Sequence, residues 1–242
     1  MLSSLSIVIP TYNESGRIIH TIHDILSKVS LFTNNFEIII VDDGSLDTTR
    51  DDIEKEFCSI MEKSVVRCIP IKHQGKGAAV KQGMLSSKKE WILFMDADNS
   101  ASIDSLAFFQ PFVHQYEIMI GSRAIKDGTL TRIDKWHRKI MGGIFNSIMR
   151  KMMKLPYLDT QCGFKLFTRS CGQLISHDVV ETGFAFDVEI LSLAKLFHIP
   201  VKEVGIHWKN SDKSQVSVMR DPWRMLCALY RIKKKHVLHN LH

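Results

Sequence analysis

The sequence lacks the features that identify several common classes of protein. No run in its 242 residues approaches the roughly 18 consecutive apolar residues that a membrane span needs. The start, Met1-Leu2-Ser3-Ser4, has no basic segment of the kind that opens a secretory signal. Neither GxGxxG after the first predicted strand nor a GxxxxGK(S/T) loop is present, which disfavours a dinucleotide-dependent dehydrogenase and a P-loop NTPase.

Cysteine is sparse, and its spacing carries no metal signature. Neither CxxC nor a Cys/His pattern occurs among the five cysteines, which are Cys58, Cys68, Cys162, Cys171 and Cys227. An odd, scattered set is typical of reduced thiols in a cytosolic chain. Internal repeats and low-complexity linkers are also absent, and we expect one domain over residues 1–242.

Acidic residues outnumber basic ones in the first half of the chain, and the reverse holds in the second. Residues 1–120 contain 11 Lys and Arg against 16 Asp and Glu, a net charge of −5, whereas residues 121–242 contain 21 against 10, a net charge of +11. The asymmetry indicates that the second half faces something anionic, such as nucleic acid, a phosphorylated substrate or a membrane surface. A merely solvated basic face is the alternative. RNA-binding aromatic motifs are absent, which argues against nucleic acid.

Strand-like and helix-like segments alternate through the first hundred residues. Apolar, β-branched runs at 5–10, 36–41, 65–70 and from Trp91 onward predict strands, and the segments at 14–28, 47–61 and 77–87 predict helices. A further strand is predicted at 116–120. This alternation predicts an α/β fold with a mostly parallel, Rossmann-like sheet and helices on both faces.

Polar and acidic residues follow three of the predicted strands: Asn13 and Glu14, Asp42 and Asp43, and Asp96 and Asp98. The carboxyl ends of parallel strands share one edge of a sheet, where ligands bind in open α/β folds. Carboxylate oxygens are ligands for Mg²⁺ and Mn²⁺, which also bind substrate phosphates. The sequence therefore predicts a divalent metal holding a diphosphate, with a solvated turn as the alternative for Asp96-Ala97-Asp98.

Two amphipathic segments, residues 136–153 and 223–241, combine an apolar stripe with flanking basic residues. Such a pattern suits a helix lying on an anionic membrane surface. A helix that packs on the protein core gives the same stripe, and the pattern alone leaves both possibilities open.

Several motifs occur together in the order and spacing of a known family. They are residues 8–14 (VIPTYNE), 41–45 (VDDGS), 75–77 (GKG), 96–98 (DAD) and 121–123 (GSR). Together they resemble glycosyltransferase family 2, which has the GT-A fold, over roughly residues 5–232. Residues 159–167 (DTQCGFKLF) and 183–189 (GFAFDVE) resemble its polyprenyl-phosphate sugar transferases, most of all the dolichyl-phosphate β-glucosyltransferases.

The resemblance implies a role for each motif in binding a nucleotide-sugar donor. Pro10, Tyr12 and Glu14 would line the nucleoside pocket, and Asp43 would hold the base or ribose. Asp96 and Asp98 would hold Mg²⁺ or Mn²⁺ on the diphosphate. Asp96 would also help to bind the diphosphate itself. Lys76 would contact the same diphosphate or, alternatively, cap the loop before the third helix.

The resemblance also implies an acceptor, a polyprenyl-phosphate lipid. Arg123 and Arg138 match phosphate-contacting positions, and Asp159, Asp187 and Glu189 would orient the sugar and nearby loops. The resemblance implies a catalytic role for the two arginines and the two aspartates, and a substrate-binding role for Glu189. Ser100 stands where related mannosyl enzymes often have Gln, and Ser214-Gln215 stands where Ser-Lys is frequent.

The implied activity is inverting transfer of a hexose, with glucose from UDP-glucose as the first choice, to a dolichyl-type phosphate. The alternatives are a mannosyl transferase using GDP-mannose, an amino-sugar transferase, and an inactive nucleotide-sugar-binding module. We expect a peripheral protein on the cytosolic face of an anionic membrane, the endoplasmic reticulum in a eukaryote.

Overall fold

The computed structural model of the chain describes residues 1–62, 64–125, 149–209 and 227–235. Within these residues seven strands form one sheet. The strands are β1 (Leu5–Thr11), β2 (Phe36–Asp42), β3 (Val66–Pro70), β4 (Trp91–Met95), β5 (Ile118–Ser122), β6 (Phe164–Thr168) and β7 (Val201–Gly205).

The sheet is mostly parallel, as the sequence predicts. Its strand order is β3-β2-β1-β4-β6-β5-β7. Strand β6 runs antiparallel to both of its neighbours, β4 and β5, whereas the other neighbouring pairs are parallel. One edge of the sheet therefore collects the carboxyl ends of six strands and the amino end of β6.

Helices cover both faces of the sheet, which confirms the predicted layering. They are α1 (Ile18–Lys28), α2 (Thr49–Glu62), α3 (Lys76–Ser86), α4 (Arg169–Asp178) and α5 (Phe186–Leu196), with short 3₁₀ turns at Val29–Leu31, Ile103–Phe108 and Gln110–Phe112. Alternate side chains of β1 point to opposite faces. Ile7 and Ile9 pack in the core beneath α1 and α2, and Val8 packs in the core beneath α3, α4 and α5.

The first four strands and three helices lie within a few residues of their predicted positions, and β5 begins at Ile118 rather than 116. Strands β6 and β7 were not predicted. Their sequences, FKLFT and VKEVG, interrupt apolar residues with lysine and glutamate, so neither reads as a buried strand.

The described parts of the two amphipathic segments pack on the domain. Met149 is fully buried in the core beneath α3, α4 and α5. In the helical residues 227–235, Ala228 and Ile232 pack against Ala185. Within the described residues of these two segments, the apolar stripes therefore face the protein. Residues 136–148, 223–226 and 236–241 lie outside the described residues. In the described ranges, no helix is both long enough and apolar enough to cross a membrane.

Candidate active site

The turn after β4 carries Asp96 and Asp98, and neighbouring elements hold it in place. The Thr21 hydroxyl, on α1, donates to the Ala97 carbonyl at 2.6 Å. The Ser100 backbone N–H donates to Asp98 Oδ1 at 3.0 Å. Ser100 thus orients the second aspartate through its backbone. Both aspartates are half-buried at the ligand-binding edge of the sheet.

Asp96 is packed between a glycine and a lysine. Its N–H donates to the Gly163 carbonyl at 3.1 Å, and a Cβ atom at position 163 would overlap the Asp96 carboxylate. On its other side, Lys76 Nζ lies 2.6 Å from Asp96 Oδ1. Burial alone would lower the pKa of Lys76, but the Asp96 and Asp187 carboxylates outweigh burial and raise it. Lys76 is therefore a fixed positive charge at the acidic turn.

The acidic turn presents two carboxylates that could hold a metal bound to a diphosphate. Burial raises the pKa of Glu14, and the charges of Asp98 and Asp96 raise it further against the opposing effect of Arg17. Negative charge is thus concentrated here. No group of three or more His, Cys, Asp or Glu with metal-binding geometry occurs within the described part of the chain. Two carboxylates suit a cation such as Mg²⁺ that completes its shell with water and substrate phosphates.

Tyr12 and Asp43 meet at the ends of β1 and β2, together with His73. The rings of Tyr12 and His73 stack, with centroids 4.3 Å apart and planes inclined by 25°. The Asp43 carboxylate accepts the N–H groups of Gln74 and Gly75, both at 2.8 Å, and lies 2.9 Å from His73 Nδ1. Asp43 therefore fixes the loop that carries the stacking histidine.

Pro10 and Glu14 stand before and after the end of β1. Pro10 is buried within the strand and is paired in register with Val41. The Glu14 N–H donates to Thr49 Oγ1 at 2.8 Å, and its carboxylate forms a 2.6 Å ion pair with Arg17. The charges of Asp98 and Asp96 also act on the Glu14 carboxylate, which therefore lies near the acidic turn, whereas Pro10 belongs to the sheet itself.

The amino end of α3 is already capped by protein. The N–H groups of Gly77 and Ala78 donate to the Thr182 carbonyl at 2.7 and 3.3 Å. A Cβ atom on Gly77 would lie 2.6 Å from the Glu181 carbonyl oxygen, so only glycine permits this approach. Since these backbone donors are used, the Lys76 side chain is what this segment offers to an anion.

Glu189 supports the loop that caps α3. Its side chain is fully buried, and Oε2 accepts the N–H groups of Val180 and Glu181 at 3.1 and 2.8 Å. The Glu189 carboxylate therefore orients backbone rather than lining the open edge of the sheet.

Arg123 and Asp159 form a two-pronged ion pair. Arg123 Nε and Nη2 donate to Asp159 Oδ2 and Oδ1 at 2.6 and 2.8 Å, and the Arg123 backbone N–H donates to Oδ2 at 3.0 Å. Burial alone would raise the pKa of Asp159, but the Arg123 guanidinium outweighs it, so the pKa is lowered. Asp159 is an ionised partner that holds the arginine.

Asp187 is paired with a buried lysine that sequence reasoning missed. Lys165, in β6, is fully buried, and its Nζ donates to Asp187 Oδ1 and the Cys162 carbonyl, both at 2.5 Å. Burial raises the pKa of Asp187, and the charges of Lys165 and Lys76 only partly offset it. A lone lysine within the apolar run FKLF was the available signal.

The structure thus brings most of the predicted residues to one edge. Lys76 interacts with Asp96, Asp98 and Asp187, and the charge of Asp96 also acts on Arg123. Glu189 lies behind this group and Pro10 lies within the sheet. Arg138 lies outside the described residues, as do Ser214 and Gln215.

Sequence comparisons identify the family. The model of "Glycosyl transferase family 2" matches residues 6–173. Three relatives called dolichyl-phosphate beta-glucosyltransferase are similar to the chain. The Dictyostelium discoideum protein is 32% identical over 249 residues, covering 97% of this chain and 75% of the relative. The human protein is 33% identical, covering 88% and 69%. The Saccharomyces cerevisiae protein is 33% identical, covering 97% and 75%.

Solved structures agree on the fold. Glucosyl-3-phosphoglycerate synthase from Mycobacterium tuberculosis, in complex with phosphoglyceric acid, superposes with a TM-score of 0.68 at 15% identity, covering 95% of this chain and 79% of that one. The same enzyme with Mn²⁺ and UDP-glucose gives 0.66 at 16% identity, covering 94% and 77%. Mannosyl-3-phosphoglycerate synthase from Rubrobacter xylanophilus gives 0.65 at 16% identity, covering 98% and 74%. The chain therefore belongs to glycosyltransferase family 2 and has the GT-A fold of these enzymes.

Proposed function

We propose that the protein transfers glucose from UDP-glucose to a dolichyl-type polyprenyl phosphate, with inversion at the anomeric carbon. The observation that carries this proposal is the meeting of the Asp96–Asp98 turn with Lys76 and Arg123 at one edge of the sheet. An acidic turn can hold a metal-bound donor, and the cations beside it can gather a second phosphate. The names of the relatives support this choice of donor sugar and acceptor.

Asp96 and Asp98 would anchor the donor diphosphate through Mg²⁺ or Mn²⁺. When bound, such a cation acts as a Lewis acid that neutralises charge on the departing nucleoside diphosphate. Lys76, which is paired with Asp96, would add a positive charge beside the diphosphate. A structural neighbour solved with Mn²⁺ and UDP-glucose supports this choice of cofactor and donor.

Pro10, Tyr12, Glu14 and Asp43 would form the nucleoside end of the site. We assign the stacking surface to Tyr12, supported by its contact with His73. Asp43 would shape the pocket through the His73–Gly75 loop that it holds, because its carboxylate oxygens already accept two backbone N–H groups.

The acceptor phosphate would attack without a general base. A phosphate monoester has a second pKa of about 6, so it is largely dianionic at neutral pH and has no proton to lose as it attacks. An acceptor oxygen forms a bond to the anomeric carbon while the bond to the diphosphate breaks, and the electron pair leaves with UDP. Asp159 then serves catalysis by holding Arg123, whose remaining guanidinium donors can bind phosphate.

Cations that bring two like-charged phosphates together are central to this reaction. Arg123 and Arg138 would contact the acceptor phosphate. Asp187, held by Lys165, would orient the transferred sugar, and Glu189 would keep the loop at 180–183 in position. These assignments rest on the contacts described above and, for Arg138, on the family motif alone.

A basic outer face would hold the protein on the cytosolic side of an anionic membrane, where the lipid acceptor resides. In the helical residues 227–235, Tyr230, Lys233 and Lys234 are exposed, while the apolar side packs on the domain. Each basic residue near such a surface contributes about 1 kcal/mol of attraction. Binding would therefore be electrostatic, with Tyr230 at the lipid headgroups.

Nucleotide binding tests the donor half of the proposal. UDP with Mn²⁺ should raise the melting temperature more than GDP with Mn²⁺ or UDP alone, and Asp98→Ala should abolish the metal-dependent increment. Asp51→Ala, an exposed change in α2, is the matched control and should keep it. A larger response to GDP would favour the mannosyl alternative, and no metal-dependent response to any nucleotide would favour an inactive module.

A further inference from the structure

Strand β7 continues into a short segment, residues 206–209, that touches the acidic turn. The Lys209 N–H donates to the Ser100 carbonyl at 2.8 Å. The Ser100 N–H in turn donates to Asp98 Oδ1 at 3.0 Å. A single residue therefore separates this segment, which we call the β7 extension, from the proposed metal ligand.

The same strand and extension also hold Arg123 from two sides. Glu203, in β7, accepts a hydrogen bond from the Asp159 N–H at 2.7 Å, and the Asp159 carboxylate accepts hydrogen bonds from Arg123 Nε and Nη2. From the extension, the Trp208 ring lies under the guanidinium, 5.0 Å from Arg123 Cζ to the ring centroid. One side of the arginine is thus fixed by a carboxylate and one face by an indole.

These contacts leave part of the guanidinium for a ligand. Arg123 Nη1 makes none of the hydrogen bonds to Asp159, and no partner for it occurs among the described residues. A planar guanidinium that is held along one edge and covered on one face has little freedom to rotate. Its remaining donors are therefore pre-oriented.

We infer that Trp208 is a positioning residue that orients Arg123 toward the acceptor phosphate and, through Lys209 and Ser100, couples that arginine to the Asp98 turn. The identity of the two ligands rests on the proposed function, but the coupling rests on the contacts of the β7 extension. Tryptophan is the side chain best suited to this task, because it gives the strongest cation–π attraction of the aromatic residues.

Kinetics of Trp208→Leu and Trp208→Phe test the inference. Loss of a partly buried cation–π contact corresponds to about a 5- to 30-fold change. Trp208→Leu should raise the KM for dolichyl phosphate by that factor, with kcat and the Kd for UDP with Mn²⁺ changed less than threefold. Trp208→Phe, which keeps an aromatic face, should recover part of the loss. Trp91→Phe, at the far end of β4, is the matched tryptophan control and should leave the acceptor KM unchanged.

Calorimetry measures the coupling between donor binding and acceptor binding. In the wild type, saturating UDP with Mn²⁺ should tighten calorimetric binding of farnesyl phosphate, a soluble acceptor analogue, and Trp208→Leu should remove most of this gain. Reciprocity requires the analogue to tighten UDP binding by the same factor.

The outcomes separate the inference from the proposed function. An unchanged acceptor KM in Trp208→Leu, or equal defects in the Leu and Phe variants, overturns the positioning role while glucose transfer by the wild type still supports the proposed function. A wild type that binds UDP with Mn²⁺ but transfers no glucose and does not bind farnesyl phosphate overturns both.

Discussion

Gly163→Ala would displace the proposed metal ligand without altering any charged group. The Asp96 carboxylate lies directly over the Gly163 backbone, and an added Cβ would overlap its oxygens. The Asp96 side chain cannot move away freely, because the Asp96 N–H donates a hydrogen bond to the Gly163 carbonyl and the carboxylate forms an ion pair with Lys76. The added methyl group should therefore push the carboxylate away from the position in which it would hold the donor.

The size of the effect follows from the cost of overpacking. Extra methylene groups in a well-packed site cost about 1–3 kcal/mol. If Asp96 must recover its position for the donor to bind, this cost appears in donor affinity as a roughly 5- to 150-fold weaker binding of UDP with Mn²⁺. If the carboxylate turns aside when no donor is present, the melting temperature should fall little.

Isothermal titration of UDP, with and without Mn²⁺, measures the effect. Gly172→Ala is the matched control, since it lies inside α4, where alanine is favoured, and its nearest neighbour is the flexible end of Met84, at 3.0 Å. The control should keep wild-type affinity. Wild-type, metal-dependent UDP affinity in Gly163→Ala would refute the reasoning that Asp96 anchors the donor from this position.

Three further experiments test other parts of the structure. Asp159→Asn should lower the melting temperature most at neutral pH: the folded-state pKa of Asp159 is lowered, so its stabilising effect is present above the unfolded value of about 3.9 and is lost as pH falls through the folded value. The difference from wild type should close in acid, and a difference independent of pH would contradict the ionised pair. Lys165→Met should cost about 3–5 kcal/mol by leaving Asp187 buried without its partner, and combining it with Asp187→Leu should recover much of that loss in denaturant unfolding. Ile232→Ala should cost about 2–5 kcal/mol because this side chain is 1% exposed, and an unchanged unfolding free energy would mean that its helix does not pack on the domain.

The sequence predicts the acidic edge well because the relevant signals are local. Apolar, β-branched runs locate β1, β2 and β4, and the polar residues directly after them must lie at the carboxyl ends of those strands. Parallel pairing then brings Glu14, Asp43 and Asp96 to one edge without knowledge of any individual contact.

What the sequence cannot predict depends on contacts between distant segments. Strand β6 inserts antiparallel between β4 and β5, and only that register places Lys165 beside Phe94 and within reach of Asp187. Likewise, capping of α3 by Thr182 depends on a loop about a hundred residues away. Motif positions therefore predict a role for Asp187 but leave its partner unknown.

Asp43 and Asp159 show a second limit. Their motifs predict substrate-binding and catalytic roles, yet each carboxylate already accepts several hydrogen bonds from protein donors: the 74–75 backbone for Asp43, and the Arg123 side chain and backbone for Asp159. Residue type and position in a motif do not reveal whether an oxygen is already used. Their predicted roles stay proposals, and the contacts favour positioning over direct chemistry.

Transfer of radiolabelled glucose to lipid is the direct test of the proposed glucosyltransferase activity. The wild type would be incubated with labelled UDP-glucose and Mn²⁺, together with either dolichyl phosphate or dolichol, and the lipid would then be extracted. We expect label in the extract with dolichyl phosphate, none with dolichol, and none when Asp98→Ala replaces the wild type. Equal labelling of dolichol, or no labelled lipid from a wild type that binds UDP with Mn²⁺, would contradict the proposed activity.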